Sequence, residues 1–79
     1  MSTTRALLVF DTTHHALWAE QLARELLLGV EVVPAPAESN AKCDLALEYL
    51  PEDEPALLAA LERAAVPHRI WREERQRGG

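Results

Sequence analysis

Residues 6–13 read Ala6-Leu7-Leu8-Val9-Phe10-Asp11-Thr12-Thr13, and the change of character at Asp11 decides the fold. Five apolar residues in a row have strand length and suit a strand buried on both faces. The polar cluster that follows closes the strand and offers hydroxyls to the first amides of a helix, with Thr12 or Thr13 as the cap. From there Ala19, Leu22, Ala23, Leu26 and Leu27 recur at three- and four-residue spacing. One apolar stripe of that kind predicts a helix reaching about residue 28, with Gly29 as its stop.

Working outward, residues 30–34 (Val-Glu-Val-Val-Pro) alternate and are β-branched, which predicts a second strand ended by Pro34 and Pro36. Residues 35–42 are small and polar and lead directly into Cys43. Leu45, Leu47 and Tyr49 alternate with Ala46 and Glu48 in a third strand that stops at Pro51. A second helix begins within residues 52–55, where Glu52, Asp53 and Glu54 suit the positive end of the dipole and Pro55 is tolerated in the first turn. Its stripe is Leu57, Leu58, Leu61, Ala64 and Ala65, and Pro67 breaks it. Residues 68–72 (His-Arg-Ile-Trp-Arg) predict a fourth strand at an edge, and the charged, glycine-ended residues 73–79 are expected to fray. The order β-α-β-β-α-β predicts an α+β, ferredoxin-like domain: a four-stranded antiparallel sheet with two helices on one face. The uncovered face is then the candidate surface for a homodimer. The pattern leaves open whether Trp18 and Trp71 lie near that face or near the loop.

Length and composition bound the rest. Seventy-nine residues make a single domain over 1–79, with an ordered core of about residues 5–72. At 48% hydrophobic and 27% charged, the chain is globular in composition rather than disordered. Thirteen acidic against eight basic side chains give a net charge of −5, which argues against nucleic acid or an anionic membrane as partner. The balance is uneven, because residues 69–79 hold four arginines and two glutamates, a net +2. No run approaches the roughly 20 apolar residues of a membrane span, and residues 1–4 lack the basic-then-apolar order of a signal peptide, so a cytoplasmic protein is expected. A single cysteine, Cys43, allows neither an internal disulfide nor a cysteine-rich zinc site, which also fits a reducing compartment.

Cys43 is the first candidate for chemistry. It stands between Lys42, the only lysine, and Asp44. A neighbouring ammonium favours the reactive thiolate and a neighbouring carboxylate opposes it, so the local charges nearly cancel. The bland alternative is a small apolar residue opening a strand. His14 and His15 stand where the first helix begins, and as adjacent helical residues they point to different sides and chelate poorly. A metal site would need one of them joined by His68, Cys43 or a carboxylate, and no metal is expected. His14 could instead orient or deprotonate a thiol, because this topology sets the start of the first helix near the loop after the second strand. Asp11, Thr12 and Thr13 could cradle an anion but suffice as a helix cap. Glu52, Asp53 and Glu54 read as a solvated helix start. The terminal Gly78-Gly79 is shared with ubiquitin-like sulfur carriers, whose fold opens with a β-hairpin, unlike the strand-helix opening read here.

Taken together, Val9-Phe10-Asp11-Thr12-Thr13-His14-His15-Ala16, then Glu20, then Val32-Val33-Pro34-Ala35-Pro36, then Cys43 with the apolar strand behind it, form one pattern. The pattern resembles the small-domain family of selenium/sulfur carrier protein-like chains, over about residues 6–72. Its most specific parts are Phe-x-Thr-Thr-His-x-Ala-x-x-x-Glu and the Pro-x-Pro loop that leads to a lone cysteine. Family members typically read Cys-Gly where this chain reads Cys43-Asp44, and a basic residue where it has Ala37. The resemblance implies a carrier rather than an enzyme with its own turnover. Cys43 would hold a persulfide or perselenide taken from a donor protein and pass it to an acceptor protein, with no other cofactor. Lys42, His14, Thr12 and Thr13 would support the thiol. The alternative is a ferredoxin-like interaction or regulatory module that works through its open sheet face, without thiol chemistry.

Overall fold

In a computed structural model, which describes residues 2–76, the chain runs β1 (Ser2–Val9), α1 (Thr13–Glu25), β2 (Glu31–Pro34), β3 (Leu45–Tyr49), α2 (Glu54–Arg63) and β4 (Arg69–Gln76). Short 3-10 turns at Ala37–Ser39 and Pro51–Asp53 precede β3 and α2. The strands form one antiparallel sheet in the order β2-β3-β1-β4. This is the α+β, ferredoxin-like arrangement that the element order predicts.

The apolar run 6–10 lies in the middle of the molecule and is buried throughout, because β1 pairs with β3 on one side and β4 on the other. Alternation divides it between two cores. Ala6, Leu8 and Phe10 pack with Leu47 and Tyr49 of β3, with Ala16, Ala19 and Ala23 of α1, and with Leu57 and Leu61 of α2. Both helices therefore lie on one face. Leu7 and Val9 face the other way, with Ala46. That second face is not bare: Ala35 and Ala41 of the β2–β3 connection and Trp71 of β4 pack onto it. Trp18 is elsewhere, exposed on α1 with its ring beside His14.

Four boundaries differ from the expectations. α1 ends before residue 28 and without using Gly29. Leu27 takes the left-handed conformation at φ 60°, and its amide bonds Arg24 O while that of Leu28 bonds Ala23 O. That is a Schellman turn with leucine where glycine is usual. It throws Leu27 out of the stripe, leaving it 92% exposed. α2 ends the same way, with Ala65 at φ 58° and bonds Ala65 N to Glu62 O and Val66 N to Leu61 O, so the turn stops it at Arg63, four residues before Pro67. β1 begins at Ser2, and β4 runs on to Gln76, because residues 2–5 and 73–76 pair with each other. Of the tail expected to fray, 73–76 lie in that strand, and 77–79 lie outside the described residues.

A polar clamp fixes the sheet to α2. The Tyr49 hydroxyl donates to Glu54 Oε1 at 2.6 Å, and Arg72 Nη2 donates to both carboxylate oxygens at 2.7 and 2.8 Å. Burial, then the bond to Glu54, keeps the Tyr49 proton on well above the ordinary phenol range. The same bond, with Arg72 adding to it, holds Glu54 below the ordinary carboxylate range.

Candidate functional site

Thr12 has extended backbone (φ −139°, ψ 152°), and its hydroxyl accepts the His15 amide at 3.1 Å, while its carbonyl accepts that of Ala16. It is the N-cap of α1. Thr13, the first helical residue, is thereby turned toward the β2–β3 connection as it returns to the sheet. Its hydroxyl oxygen lies 3.6 Å from the Cys43 sulfur. The connection is fastened there by the Cys43 amide, which donates to Phe10 O at 3.3 Å. The Leu45 amide donates to the same sulfur at 3.3 Å.

The sulfur thus sits at the N-terminus of α1 with one backbone donor and one hydroxyl beside it. No acidic residue occupies the first turn of α1, so the partial positive charge of its free amides is not offset there. Asp44 is exposed, between two residues that pack into the helix-side core. Its backbone carbonyl accepts the Ala35 amide at 2.8 Å. Cys43 itself is only 4% exposed. The bland reading of this residue as a small apolar side chain opening a strand is therefore met in its packing, while its polar surroundings exceed what that reading requires.

Of the residues expected to support the thiol, Thr13 reaches it and Thr12 positions Thr13. Among the described residues no hydrogen bond joins Lys42 or His14 to the sulfur; both are exposed, and the His14 ring stands 6.2 Å from that of His15 and 6.5 Å from that of Trp18. His15 is half-buried. His68 bonds Val66 O through Nδ1 at 2.7 Å, closing the turn into β4. Among the described residues no group of three His, Cys, Asp or Glu side chains gathers to hold a metal ion. Two contributors escape a side-chain reading: the Leu45 amide and the Phe10 carbonyl are backbone groups, and their only sequence signal is the placement of Cys43 two residues before β3.

One turn along α1 from Thr13, His14, Leu17, Trp18 and Gln21 line an open groove of about 350 Å³. Leu17 and Trp18 are both exposed there.

The family model described as "Putative Se/S carrier protein-like" matches residues 5–72. The chain belongs to this family. No curated protein and no solved structure matches it. The matched span of this Se/S carrier-like domain includes α1, Cys43 and the cores on both faces of the sheet, and stops at Arg72 within β4. No helix among its described residues is long and apolar enough to cross a membrane.

Proposed function

We propose that the domain carries sulfur or selenium on Cys43. The observation that carries this reading is the sulfur's position at the α1 N-terminus, within reach of the Leu45 amide and the Thr13 hydroxyl. Hydrogen-bond donors and a helix N-terminus suit a sulfur that bears negative charge, as the attacking Cys43 thiolate does. The family match supports the same reading.

The step is an exchange without net oxidation. The Cys43 thiolate, its proton released to solvent, attacks the outer sulfur of a persulfide on a donor protein. A new S–S bond forms to Cys43, the donor's S–S bond breaks, and the donor leaves as a thiolate that takes up a proton. An acceptor's thiolate then attacks the outer atom on Cys43 and returns the cysteine to its resting form. Selenium in the outer position follows the same course. Nothing in the exchange requires a further catalytic group, which accords with a domain of 79 residues. The exposed Leu17 and Trp18, about one turn along α1 from Thr13, supply apolar surface for donor and acceptor.

Incubation with a cysteine desulfurase and cysteine, followed by intact mass, tests this. The expected result is an adduct of one sulfur atom that Cys43→Ser loses. No adduct on the wild-type protein refutes it. The burial of Cys43 favours a second reading, an interaction module working through the sheet face that carries Trp71. On that reading Cys43→Ser keeps partner binding, and substitutions at Trp71 or Val33 lose it.

A further inference from the structure

Cys43 as a residue is only 4% exposed, too little for a second sulfur to approach it in line, so transfer requires a part of the fold to move. The elements around Cys43 differ in how firmly they are held. α1 is anchored by three buried alanines, and β3 is paired on both sides. Residues 36–42 pair with no strand, and Ser39, 3% exposed, is the one buried side chain among them. Their polar groups are largely satisfied among themselves: the Ser39 amide and hydroxyl both donate to Pro36 O, at 3.0 and 2.7 Å, and the Ala41 amide donates to Ser39 Oγ at 3.3 Å. Asn40 turns the chain at φ 55°, a conformation asparagine tolerates better than most residues. Such a segment can leave the body as a unit without stranding its own backbone groups. The apolar anchorage on the sheet is the small side chain of Ala41, with Ala35 just before the segment.

One side-chain bond ties this segment to the sheet among the described residues. Arg69, the first residue of β4, stands opposite Val9 of β1, and its Nη2 donates to the Ser39 carbonyl at 3.3 Å. We propose that residues 36–42 are a strap gating the Cys43 sulfur, and that Arg69 is its latch. Releasing the latch lets the strap lift from the sheet face. The movement passes along the chain to Cys43, whose amide then parts from Phe10 O, and the sulfur swings out from beside Thr13. The inference rests on the carrier reading of Cys43 and names the regulation of that site.

The test compares wild type with Arg69→Ala and Arg69→Lys by two measurements on the full chain: alkylation of Cys43 by iodoacetamide under native conditions, and amide hydrogen exchange. The expected result for Arg69→Ala is about tenfold faster alkylation, the effect of losing one hydrogen bond from a charged donor. Exchange at the Cys43 and Ala35 amides should rise by the same factor, while that of sheet-core residues such as Leu8 does not follow. Arg69→Lys, which keeps a donor, should fall between the two. Unchanged alkylation in Arg69→Ala overturns the strap. So does an increase shared equally by the Leu8 amide, because the sulfur is then reached through global unfolding. If alkylation follows the latch but neither wild type nor Arg69→Ala takes up a sulfur adduct, the strap stands and the carrier reading falls.

Discussion

The Thr13 hydroxyl stands 3.6 Å from the Cys43 sulfur, joining the first residue of α1 to a residue thirty positions away, beyond the whole of α1 and β2. Replacing Thr13 by valine removes the hydroxyl and keeps the branched shape. The fold should survive with a loss below about 1 kcal/mol. A persulfide loaded on Cys43 should be lost severalfold faster, followed by intact mass over time. An unchanged lifetime would show that Thr13 only packs against the sulfur.

Thr12 acts one step earlier, as the cap that sets the start of α1. Thr12→Ala should lower the unfolding free energy by about 1 kcal/mol, read from urea denaturation. Thr12→Asn, which supplies another side-chain acceptor at the cap, should recover most of that loss.

The helix stops make a sharper test, because glycine is absent where it is usually found. Leu27→Gly and Ala65→Gly should each stabilise the protein by about 0.5–1 kcal/mol: the relief of left-handed strain is larger than the added freedom of the unfolded chain. Gly29 carries no helix-stop role, and a Cβ there meets nothing within 4 Å. Gly29→Ala should be neutral or raise stability by about 0.5 kcal/mol. Thermal melts of the three variants decide the matter, and destabilisation in Gly29→Ala with loss in Leu27→Gly would reverse the assignment.

The clamp of Tyr49, Glu54 and Arg72 predicts a pH dependence with a definite sign. Glu54 is held below its ordinary value, first by the Tyr49 hydroxyl and then by Arg72. Its contribution is therefore complete above the ordinary carboxylate range and is lost as the pH falls through the folded value. Tyr49→Phe removes the leading cause. The stability gap between wild type and Tyr49→Phe should be widest near neutral pH and should narrow on acidification, as measured by denaturant midpoints at several pH values. A gap that stays constant across the acid range would detach Glu54 from the effect.

Much of this organisation is legible along the chain. The uninterrupted run from Ala6 to Phe10 demands burial on both faces, and a central strand is the place that provides it. Thr12 is a cap by position and chemistry, and the alternation of Leu45, Leu47 and Tyr49 sorts β3 toward the helices. The family match over residues 5–72 agrees with the motif around Thr12, Thr13 and Cys43. Element ends depart from the local pattern where no side chain carries the signal. Leu26 and Leu27 continue a helical stripe by spacing, yet the chain leaves the helix there through backbone bonds to Ala23 and Arg24. The length of β4 depends on pairing of 73–76 with 2–5, a non-local contact between two stretches that look like polar ends.

The sequence by itself determined the elements, their order and the solitary thiol, because hydrophobic period, caps and prolines act over a few residues. Only the tertiary structure decided what surrounds that thiol. Lys42 and Asp44 adjoin Cys43 in the chain, and neither shares a hydrogen bond with its sulfur. Its partners are the Thr13 hydroxyl, an amide of β3 and, for its own amide, the Phe10 carbonyl. Backbone amides and carbonyls carry no residue-specific signal, and the meeting of Thr13 and Phe10 with Cys43, some thirty residues away, follows only from how the strands and α1 pack.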